Sequence, residues 1–349
     1  MSGARTLRTV EHLTEAGLVE PERLPALREV AERYAVAVTA PVSELIDAAD
    51  PDDPIARQYL PNAAELVATP GEDADPIGDA AHSPVEGIVH RYPDRALLKI
   101  THTCAVYCRF CFRREMVGPG QTRALTPEAL DAAVAYVAGR PEIWELIVTG
   151  GDPLVLSPRR LGELMRRLDQ AEHLKVVRFH TRLPVVDPEA VGPELVAALK
   201  GSGKAVFVAL HANHPRELTA AARAACARLV DAGIPMVSQT VLLRGVNDDP
   251  AVLEALLRGF VETRIKPYYL HHPDYAPGTG HFRVSLAEGQ AVVRALRGRL
   301  SGLAQPTYVL DIPGGHGKVP VGPTYLSGEP DAQQVEDPLG THRPYPPRT

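Results

Sequence analysis

The stretch Thr101-His-Thr-Cys-Ala-Val-Tyr-Cys-Arg-Phe-Cys-Phe-Arg-Arg114 contains three of the four cysteines in this chain of 349 residues. Cys104, Cys108 and Cys111 are spaced as C-x3-C-x2-C. Thiolates are soft ligands that select zinc, copper(I) or iron–sulfur clusters. A structural zinc site normally closes with four ligands, and the remaining cysteine lies far along the chain. Three thiolates therefore favour a four-iron cluster with one iron open to another ligand; a zinc site or a set of buried apolar cysteines is the alternative.

Length and composition restrict the class of protein. The chain is long enough for one barrel-sized domain with an extension, and its hydrophobic share of 45% is ordinary for a globular protein. A net charge of −6 argues against a general nucleic-acid surface. The apolar runs are shorter than a membrane span, and the N-terminus lacks a signal-peptide pattern. We expect a cytoplasmic protein with neither nucleic-acid nor membrane partners.

The order of local patterns predicts an α/β fold. Residues 1–68 have the apolar spacing of helices, and residues 69–93 are rich in Pro, Gly and Asp and are predicted to be an extended linker. Further on, strand and helix patterns alternate, which predicts a parallel sheet with right-handed crossovers. The predicted strands are residues 96–101, 145–149, 176–180, 205–211, 236–242 and 265–271. The predicted helices are residues 126–138, 158–168, 188–200, 215–232, 249–262 and 285–300, with N-caps at Thr126, Ser157 and Ser285.

Six strands are too few for a closed eight-stranded barrel, so we predict a partial (β/α)6 TIM-like barrel. The predicted organisation is an N-terminal helical region and linker (1–90), the barrel (91–303) and a C-terminal segment (304–349). The last segment begins with a strand at residues 307–311, and its Pro-rich tail is predicted to be extended or partly disordered.

Polar residues follow the predicted strands, where the active sites of such barrels lie. They are Gly150-Gly-Asp152, His180-Thr-Arg182, His211-Ala-Asn213-His214 and His271-His-Pro-Asp274, with Gln239 on the fifth strand. We expect these side chains to meet at one end of the barrel.

A lysine near the C-terminus is a second candidate for chemistry. Lys318 follows the glycine-rich turn Gly314-Gly-His-Gly317. Glycines let a backbone approach a bulky ligand closely, and a lysine presented there is a candidate for a Schiff base with pyridoxal 5′-phosphate (PLP). Val319 breaks the G-x4-G-K-[ST] frame of a phosphate loop, which argues against ATP binding. A solvated lysine is the plain alternative.

The C-x3-C-x2-C spacing at the end of a strand resembles the signature of radical S-adenosylmethionine (SAM) enzymes. In that superfamily SAM chelates the open iron and its reductive cleavage gives a 5′-deoxyadenosyl radical. Segments from about residue 75 to 326 also resemble, in order, the lysine 2,3-aminomutase family. They are Arg91-Tyr-Pro-Asp-Arg95, the cysteine stretch, Gly150-Gly-Asp152, Leu243-Arg-Gly-Val-Asn-Asp248, Lys266-Pro-Tyr-Tyr-Leu270, His281-Phe-Arg283, Arg297-Gly-Arg-Leu-Ser-Gly302 and Pro313-Gly-Gly-His-Gly-Lys-Val-Pro320.

This resemblance implies three cofactors, a [4Fe–4S] cluster, SAM and PLP, and a role for each matching residue. Cys104, Cys108 and Cys111 would hold the cluster; Gly150, Gly151 and Asp152 would line the SAM methionine, with His211 and Gln239 facing SAM. Lys318 would carry PLP, and Arg91 and Arg95 would bind its phosphate. Arg113 would bind the substrate α-carboxylate, and Asp274 and Asp311 its distal ammonium.

The predicted substrate sites agree with elementary electrostatics. A lysine joined to PLP through its 2-amino group keeps a carboxylate and a distal ammonium, and burying either without a counter-charge is expensive. Each aspartate has a plain alternative as a loop cap. His271, His272 and His316 are assigned ordinary pocket or packing roles, because no metal-ligand spacing with a carboxylate accompanies them.

The predicted activity is an isomerase that converts L-lysine to β-lysine, in which the 5′-deoxyadenosyl radical takes a hydrogen from Cβ of the PLP-bound substrate. The same shift on arginine, or on lysine for the modification of elongation factor P, is an alternative; a glutamate substrate would need a cation at its distal end. An alternative of another class is a noncatalytic iron–sulfur or zinc protein. An electron donor such as flavodoxin or ferredoxin and a homo-oligomeric assembly are expected.

Two features depart from the family pattern. Larger clostridial-type members carry extra C-terminal cysteines for an intersubunit zinc, but no cysteine follows Cys226 here. His316 stands where the family has a glycine. The cysteines that would bind an intersubunit zinc are therefore missing from this sequence, and whether zinc is bound is left open.

Overall fold

The computed structural model describes residues 6–118, 124–329 and 332–347. Its main feature is a nine-stranded sheet in which the strands follow one another in chain order. The strands are β1 (Ile88–Tyr92), β2 (Arg95–Thr101), β3 (Glu145–Gly150), β4 (Val176–Thr181), β5 (Ala205–His211), β6 (Met236–Val241), β7 (Ile265–His271), β8 (Thr307–Ile312) and β9 (Gly317–Pro320). Strands β2 to β8 are parallel, and the two outer strands are antiparallel to their neighbours.

The sheet curls until its two edges nearly meet. The Lys318 amide N–H on β9 donates a hydrogen bond to Tyr92 Oη at the end of β1, at 2.6 Å. This side-chain contact, rather than a strand ladder, joins the edges. The predicted partial barrel is therefore confirmed, and the predicted last strand joins the same sheet as its seventh parallel member.

The prediction of an extended linker was wrong for residues 88–92. These residues form β1, which pairs with β2 through Ile88 and Leu98. The turn at Pro93 and Asp94 folds the chain back on itself, so the buried face of β1 extends the barrel. The proline- and aspartate-rich composition of the surrounding segment masked this short apolar strand.

Helices flank the sheet and precede it. They are α1 (Val10–Glu15), α2 (Leu24–Arg33), α3 (Ala40–Ser43), α4 (Pro54–Tyr59), α5 (Pro127–Ala138), α6 (Pro158–Asp169), α7 (Leu183–Val186), α8 (Pro193–Leu199), α9 (Ala220–Asp231), α10 (Pro250–Glu262) and α11 (Leu286–Leu296). The predicted N-caps are confirmed, because the Thr126, Ser157 and Ser285 side chains accept from the backbone three residues on. The predicted helix at 188–200 is interrupted before Pro193, which starts α8, since proline has no N–H for a helix interior.

The N-terminal helical region, residues 6–66, packs against the barrel and is called the helical arm. The Thr39 hydroxyl donates to the carbonyl of Val186 at 2.5 Å, next to the end of β4. Gln58, in α4, accepts at its backbone oxygen from the Arg109 N–H at 2.8 Å. The arm therefore lies directly behind the cysteine stretch.

The C-terminal tail forms a small sheet of its own, with strands β10 (Leu326–Ser327), β11 (Gln333–Glu336) and β12 (His342–Tyr345). Arg294 of α11 tethers it through an ion pair with Glu336 and a bond to the Thr324 carbonyl at 2.9 Å. The tail was predicted to be extended or partly disordered, and in these three strands it is extended; their pairing with one another is not visible in the composition. The domain boundaries at residues 90 and 303 stay a prediction. None of the helices among the described residues is long and apolar enough to cross a membrane.

Candidate active site

The barrel encloses a cavity of about 630 Å³. Every site residue predicted from the sequence lines it. These residues are Arg91, Arg95, Cys104, Cys108, Cys111, Arg113, Gly150, Gly151, Asp152, His211, Gln239, Asp274, Asp311 and Lys318. Residues as far apart in the sequence as Arg91 and Lys318 thus line one cavity.

The three clustered cysteines lie half-buried on the loop that leaves the end of β2. Burial raises the pKa of all three thiols, that of Cys108 to about 11 and that of Cys104 well above its ordinary value. Within the described residues, no three Cys, His, Asp or Glu side chains come close enough to share a single metal ion. A four-iron cluster binds each cysteine through a different iron, so its thiolates stand further apart. The donor set therefore fits such a cluster better than a single zinc ion.

A buried carboxylate, Glu65, binds two arginines of the cysteine loop. Glu65, whose side chain is fully buried, accepts from Arg109 Nε at 3.0 Å and is also ion-paired with Arg114. Arg109 also donates a hydrogen bond to the carbonyl of Ala35 at 2.7 Å, and Arg114 donates one to the carbonyl of Gly278 at 3.1 Å. Burial opposes ionisation of Glu65, but the two guanidinium groups outweigh it and lower its pKa. Glu65 lies in the helical arm, where sequence reasoning found no functional residue.

We expect Glu65→Gln to destabilise the folded protein by about 3–5 kcal/mol, because it leaves two buried arginines without their carboxylate. Chemical denaturation monitored by circular dichroism measures this change. The control is Glu11→Gln, which breaks an exposed pair with Arg28 and should cost less than about 1 kcal/mol. Equal losses in the two variants would show that burial of the Glu65 network contributes nothing.

The end of β3 packs tightly on the cysteine loop. Gly151 N–H donates to the Thr101 carbonyl at 2.5 Å, and a Cβ on Gly151 would lie 2.4 Å from the Thr103 oxygen. Asp152 ties this end to β4, because its carboxylate accepts from the Thr181 hydroxyl at 2.7 Å and from the Arg182 N–H at 2.8 Å. The Gly150-Gly-Asp152 segment thus positions the cysteine loop as well as lining the cavity.

Two histidines and a glutamine face one another on β4, β5 and β6. The rings of His180 and His211 have centroids 5.8 Å apart, and Gln239 Nε2 lies 3.4 Å from His180 Nε2. Burial lowers the pKa of His211 to about 3 and that of His180 well below its ordinary value. Both rings are therefore neutral near pH 7, and each offers one hydrogen-bond donor and one acceptor. His180 was noted at a strand end but not assigned to the site.

Lys318 lies on β9 rather than on the glycine turn itself. Antiparallel pairing places Lys318 opposite Asp311 of β8, so the two side chains share one face of the sheet. The Lys318 ammonium is ion-paired with Asp311 and lies 3.2 Å from His271 Nδ1. The hairpin explains how residues seven positions apart reach one pocket.

The linker before β1 packs on the glycine turn of the lysine hairpin. A Cβ on Gly78 would lie 2.4 Å from the Gly315 nitrogen, so the two backbones touch at a place that excludes larger residues. His82 Nε2 lies 3.0 Å from the Gly315 carbonyl. This contact joins the linker to the strand that carries Lys318.

The same linker places a buried carboxylate among the cations of the site. Asp79 lies 3.0 Å from Arg113 Nη2, 3.3 Å from Arg91 Nη2 and 3.9 Å from Lys99 Nζ. Burial raises the pKa of Asp79, but these cations outweigh it and hold the value below its ordinary range. Sequence reasoning missed this residue, since one aspartate in a linker rich in aspartate gives no signal. Two arginines predicted to bind different anions share one counter-charge.

The PLP residues predicted from the sequence fit an anionic aromatic cofactor. Arg95 stacks on the Tyr92 ring at 3.8 Å and pairs with Asp94 at 2.6 Å, while Arg91 is mostly buried. Guanidinium groups bind phosphate oxygens in pairs. The cavity thus offers two arginines for a phosphate and a primary amine on Lys318.

The two aspartates predicted for the substrate ammonium differ in charge state. Burial, and then the charge of Asp311, raise the pKa of Asp274 to about 7. Burial also acts against ionisation of Asp311, but the adjacent Lys318 ammonium outweighs it and lowers the pKa of that carboxyl. Within the described part of the chain, Asp274 forms no ion pair, whereas Asp311 is paired with Lys318. Asp274 is therefore the carboxyl that gains most from an incoming cation.

Comparison with known proteins places this site in a family. Residues 98–256 match the radical SAM superfamily, and residues 293–336 match a family described as lysine-2,3-aminomutase. The chain is 39% identical over 320 residues to the L-lysine 2,3-aminomutase of Acetoanaerobium sticklandii, covering 92% of this chain and 77% of that protein. The chain belongs to the lysine 2,3-aminomutase family. This aminomutase is a radical SAM isomerase whose cofactors are a [4Fe–4S] cluster, SAM and PLP.

Other relatives of this aminomutase carry different names. A glutamate 2,3-aminomutase of Clostridioides difficile is 36% identical over 303 residues, which cover 86% of this chain and 70% of that protein. Among solved structures, a radical SAM methyltransferase from Sphaerobacter thermophilus aligns with a TM-score of 0.45 and 23% identity, over 64% of this chain and 68% of that one. The family is thus settled by sequence, and the substrate has to be argued from the cavity.

Proposed function

We propose that this aminomutase moves the 2-amino group of L-lysine to carbon 3, giving β-lysine. The observation that carries the proposal is the half-buried pair Asp274 and Asp311 in the cavity that also contains Arg113 and Lys318. A lysine held through its 2-amino group needs a cation for its carboxylate and carboxylates for its distal ammonium. A glutamate side chain would instead place a third negative charge beside the two aspartates.

Each charged group of the cofactors and the substrate is assigned to side chains of opposite charge. Lys318 holds PLP until the substrate arrives, and Arg91 and Arg95 fix the phosphate. Arg113 binds the substrate carboxylate, and Asp274 and Asp311 bind the far end, so the chain between them is held in one orientation. Cys104, Cys108 and Cys111 hold the cluster, with the Gly150-Gly-Asp152 segment, His211 and Gln239 around SAM. When bound, the cluster and SAM supply the hydrogen-abstracting radical, and PLP supplies the π-system that lets the amino group migrate.

Two further expectations concern partners. The cluster must be reduced before SAM is cleaved, so a one-electron donor such as flavodoxin or ferredoxin is required. A homo-oligomeric assembly in the cytoplasm stays a prediction from the sequence.

The substrate is tested by anaerobic incubation of the reconstituted protein with SAM, a reductant and lysine, arginine or glutamate in separate reactions. Chromatography of the derivatised products detects each β-isomer. We expect β-lysine as the main product. β-Glutamate without β-lysine would overturn the assignment, and β-arginine alone would show that the aspartate pair serves a guanidinium group.

We expect Asp274→Asn to lower kcat/KM for lysine by about 30–1,000-fold, because removing the carboxylate that pairs with a desolvated ammonium costs about 2–4 kcal/mol. Steady-state kinetics on reconstituted enzyme measures the change. The matched control is Asp231→Asn, which affects an exposed aspartate paired with Arg264 and should leave kcat/KM within about twofold. An unchanged kcat/KM in Asp274→Asn would exclude this residue from substrate binding.

The pH dependence follows from the raised pKa of Asp274, which is about 7. Only the ionised carboxyl attracts an ammonium, so kcat/KM for lysine should rise with pH up to that value and then level off. Below it, each pH unit should cost about tenfold. Asp274→Asn should remove this limb from the profile. A flat profile between pH 5.5 and 8 in the unmodified enzyme would contradict the role of this carboxyl.

A further inference from the structure

His271, at the end of β7, makes an unusual contact with the lysine proposed to carry PLP. Its Nδ1 lies 3.2 Å from Lys318 Nζ and 3.7 Å from Asp311 Oδ2. Lys318 donates to both, so its ammonium sits between a carboxylate and an imidazole. A lysine ammonium has donors and no acceptor, which means that Nδ1 accepts and the imidazole is neutral.

The other ring nitrogen shows that His271 is not placed for stability alone. Its Nε2 is buried and has no hydrogen-bond partner among the described residues. A buried polar atom without a partner costs free energy, and such atoms in native proteins call for an explanation. The ring also packs edge-on to Tyr269, with centroids 5.7 Å apart. An apolar ring would keep that packing without the cost, so what needs a histidine here is the polar environment of Nδ1, in which Lys318 is the nearer group and Asp311 the more distant one.

We propose that His271 is a further catalytic residue, which captures the Lys318 ammonium each time a substrate amine displaces Lys318 from PLP. This inference rests on the proposed function, in which Lys318 carries PLP. In the exchange, a C=N bond forms to the substrate nitrogen and the C=N bond to the Lys318 nitrogen breaks. Two protons pass from the substrate ammonium to the Lys318 nitrogen. Before the exchange Lys318 carries the protonated C=N bond and the substrate is an ammonium; afterwards the substrate carries that bond and Lys318 is an ammonium. No oxidant, reductant or co-reactant is needed.

The cavity explains why a neutral acceptor is required beside Asp311. Asp311 is also proposed to bind the distal ammonium of the substrate together with Asp274, so after the exchange Asp311 is shared by two cations. His271 offers Lys318 a second acceptor without adding a charge. Burial, together with the charge of Lys318, lowers the pKa of His271 to about 4, which keeps the imidazole neutral in the working range. The released lysine is thereby held away from the carbon that it has left.

The exchange is measured without SAM or reductant, so no turnover occurs. PLP-loaded protein is equilibrated with increasing lysine and treated with borohydride, which fixes PLP on Lys318 or on the free amino acid. Peptide mass spectrometry then gives the fraction of Lys318 that lysine has protected. In His271→Phe the concentration for half protection should rise about tenfold, since a hydrogen bond to a charged group is lost. His271→Gln, whose amide oxygen also accepts, should restore most of the protection.

The matched control is His272→Gln. His272 is the neighbouring buried histidine, and its Nδ1 lies 2.7 Å from Tyr308 Oη and makes no contact with Lys318. This variant should protect like the unmodified enzyme. If the lysine concentration that protects half of Lys318 differs by less than twofold between His271→Phe and the unmodified protein, the role of His271 is overturned while the proposed function stands. No borohydride labelling of Lys318 in unmodified protein would overturn the proposed function together with this inference. A His271→Phe protein that does not bind PLP is replaced by His271→Leu, which lacks the acceptor and must show the same shift.

Discussion

Lys318→Ala should lose the covalent attachment of PLP and lower kcat more than about 10³-fold, because no other amine can take the place of this one. Lys318 is held on β9 opposite Asp311, and β9 has no second lysine. Lys99, another half-buried lysine near the site, is engaged with Asp79. The measurements are the PLP content after borohydride reduction, the mass of the labelled peptide and the yield of β-isomer.

A matched lysine gives the control for this loss. Lys266 lies near the amino end of β7 and donates to the carbonyls of Leu303 and Gln305 at 2.8 and 3.0 Å. Lys266→Ala should retain PLP and activity within about twofold. Covalently bound PLP in Lys318→Ala, fixed on another lysine, would show that the hairpin lysine has been misassigned.

Cys108→Ser should abolish both the iron–sulfur cluster and the reductive cleavage of SAM. Two thiolates and a hydroxyl no longer provide the soft ligands that the cluster requires. Iron and sulfide should fall from about four of each per chain to a small fraction, since four-iron clusters depend on their cysteine ligands. Chemical iron analysis and electron paramagnetic resonance of the reduced protein measure the loss.

Cys226→Ser is the control because it changes a cysteine of another kind. Cys226 is fully buried in α9, and burial raises the pKa of its thiol to about 12, so it behaves as a small apolar side chain. This variant should keep its iron. Equal iron loss in the two variants would mean that the assay reports general instability rather than loss of a ligand.

Much of the site was predictable because its signals are local or follow from fold geometry. The cysteine spacing is fixed within eight residues, and the alternation of strands and helices places the ends of β3, β5 and β6 at one edge of a sheet. The resemblance to the aminomutase family supplied the other predicted site residues, and all the predicted site residues line one cavity. Their individual roles stay proposals that the variants above test.

The missed residues are those whose partners lie elsewhere in the chain. Glu65 and Asp79 belong to segments predicted to be a helical region and a linker, yet each is a buried carboxylate with two or more cations. No pattern within either segment reports this, since an aspartate or glutamate near the surface has the same sequence context. Their positions became visible only where the arm and the linker pack against the cysteine loop.

The Thr101–Arg114 stretch and the period of the apolar residues predicted the cluster ligands and the barrel, because both predictions depend on spacing along the chain; the barrel is confirmed and the ligands stay a proposal. The tertiary structure decided which charges share a pocket. Strand pairing between β8 and β9 sets Lys318 against Asp311, and curling of the sheet brings β7 and His271 to the same amine. Burial strengthens electrostatic interactions and makes an unpaired charge costly, so the chemistry of each charged side chain depends on neighbours that only the folded chain assembles.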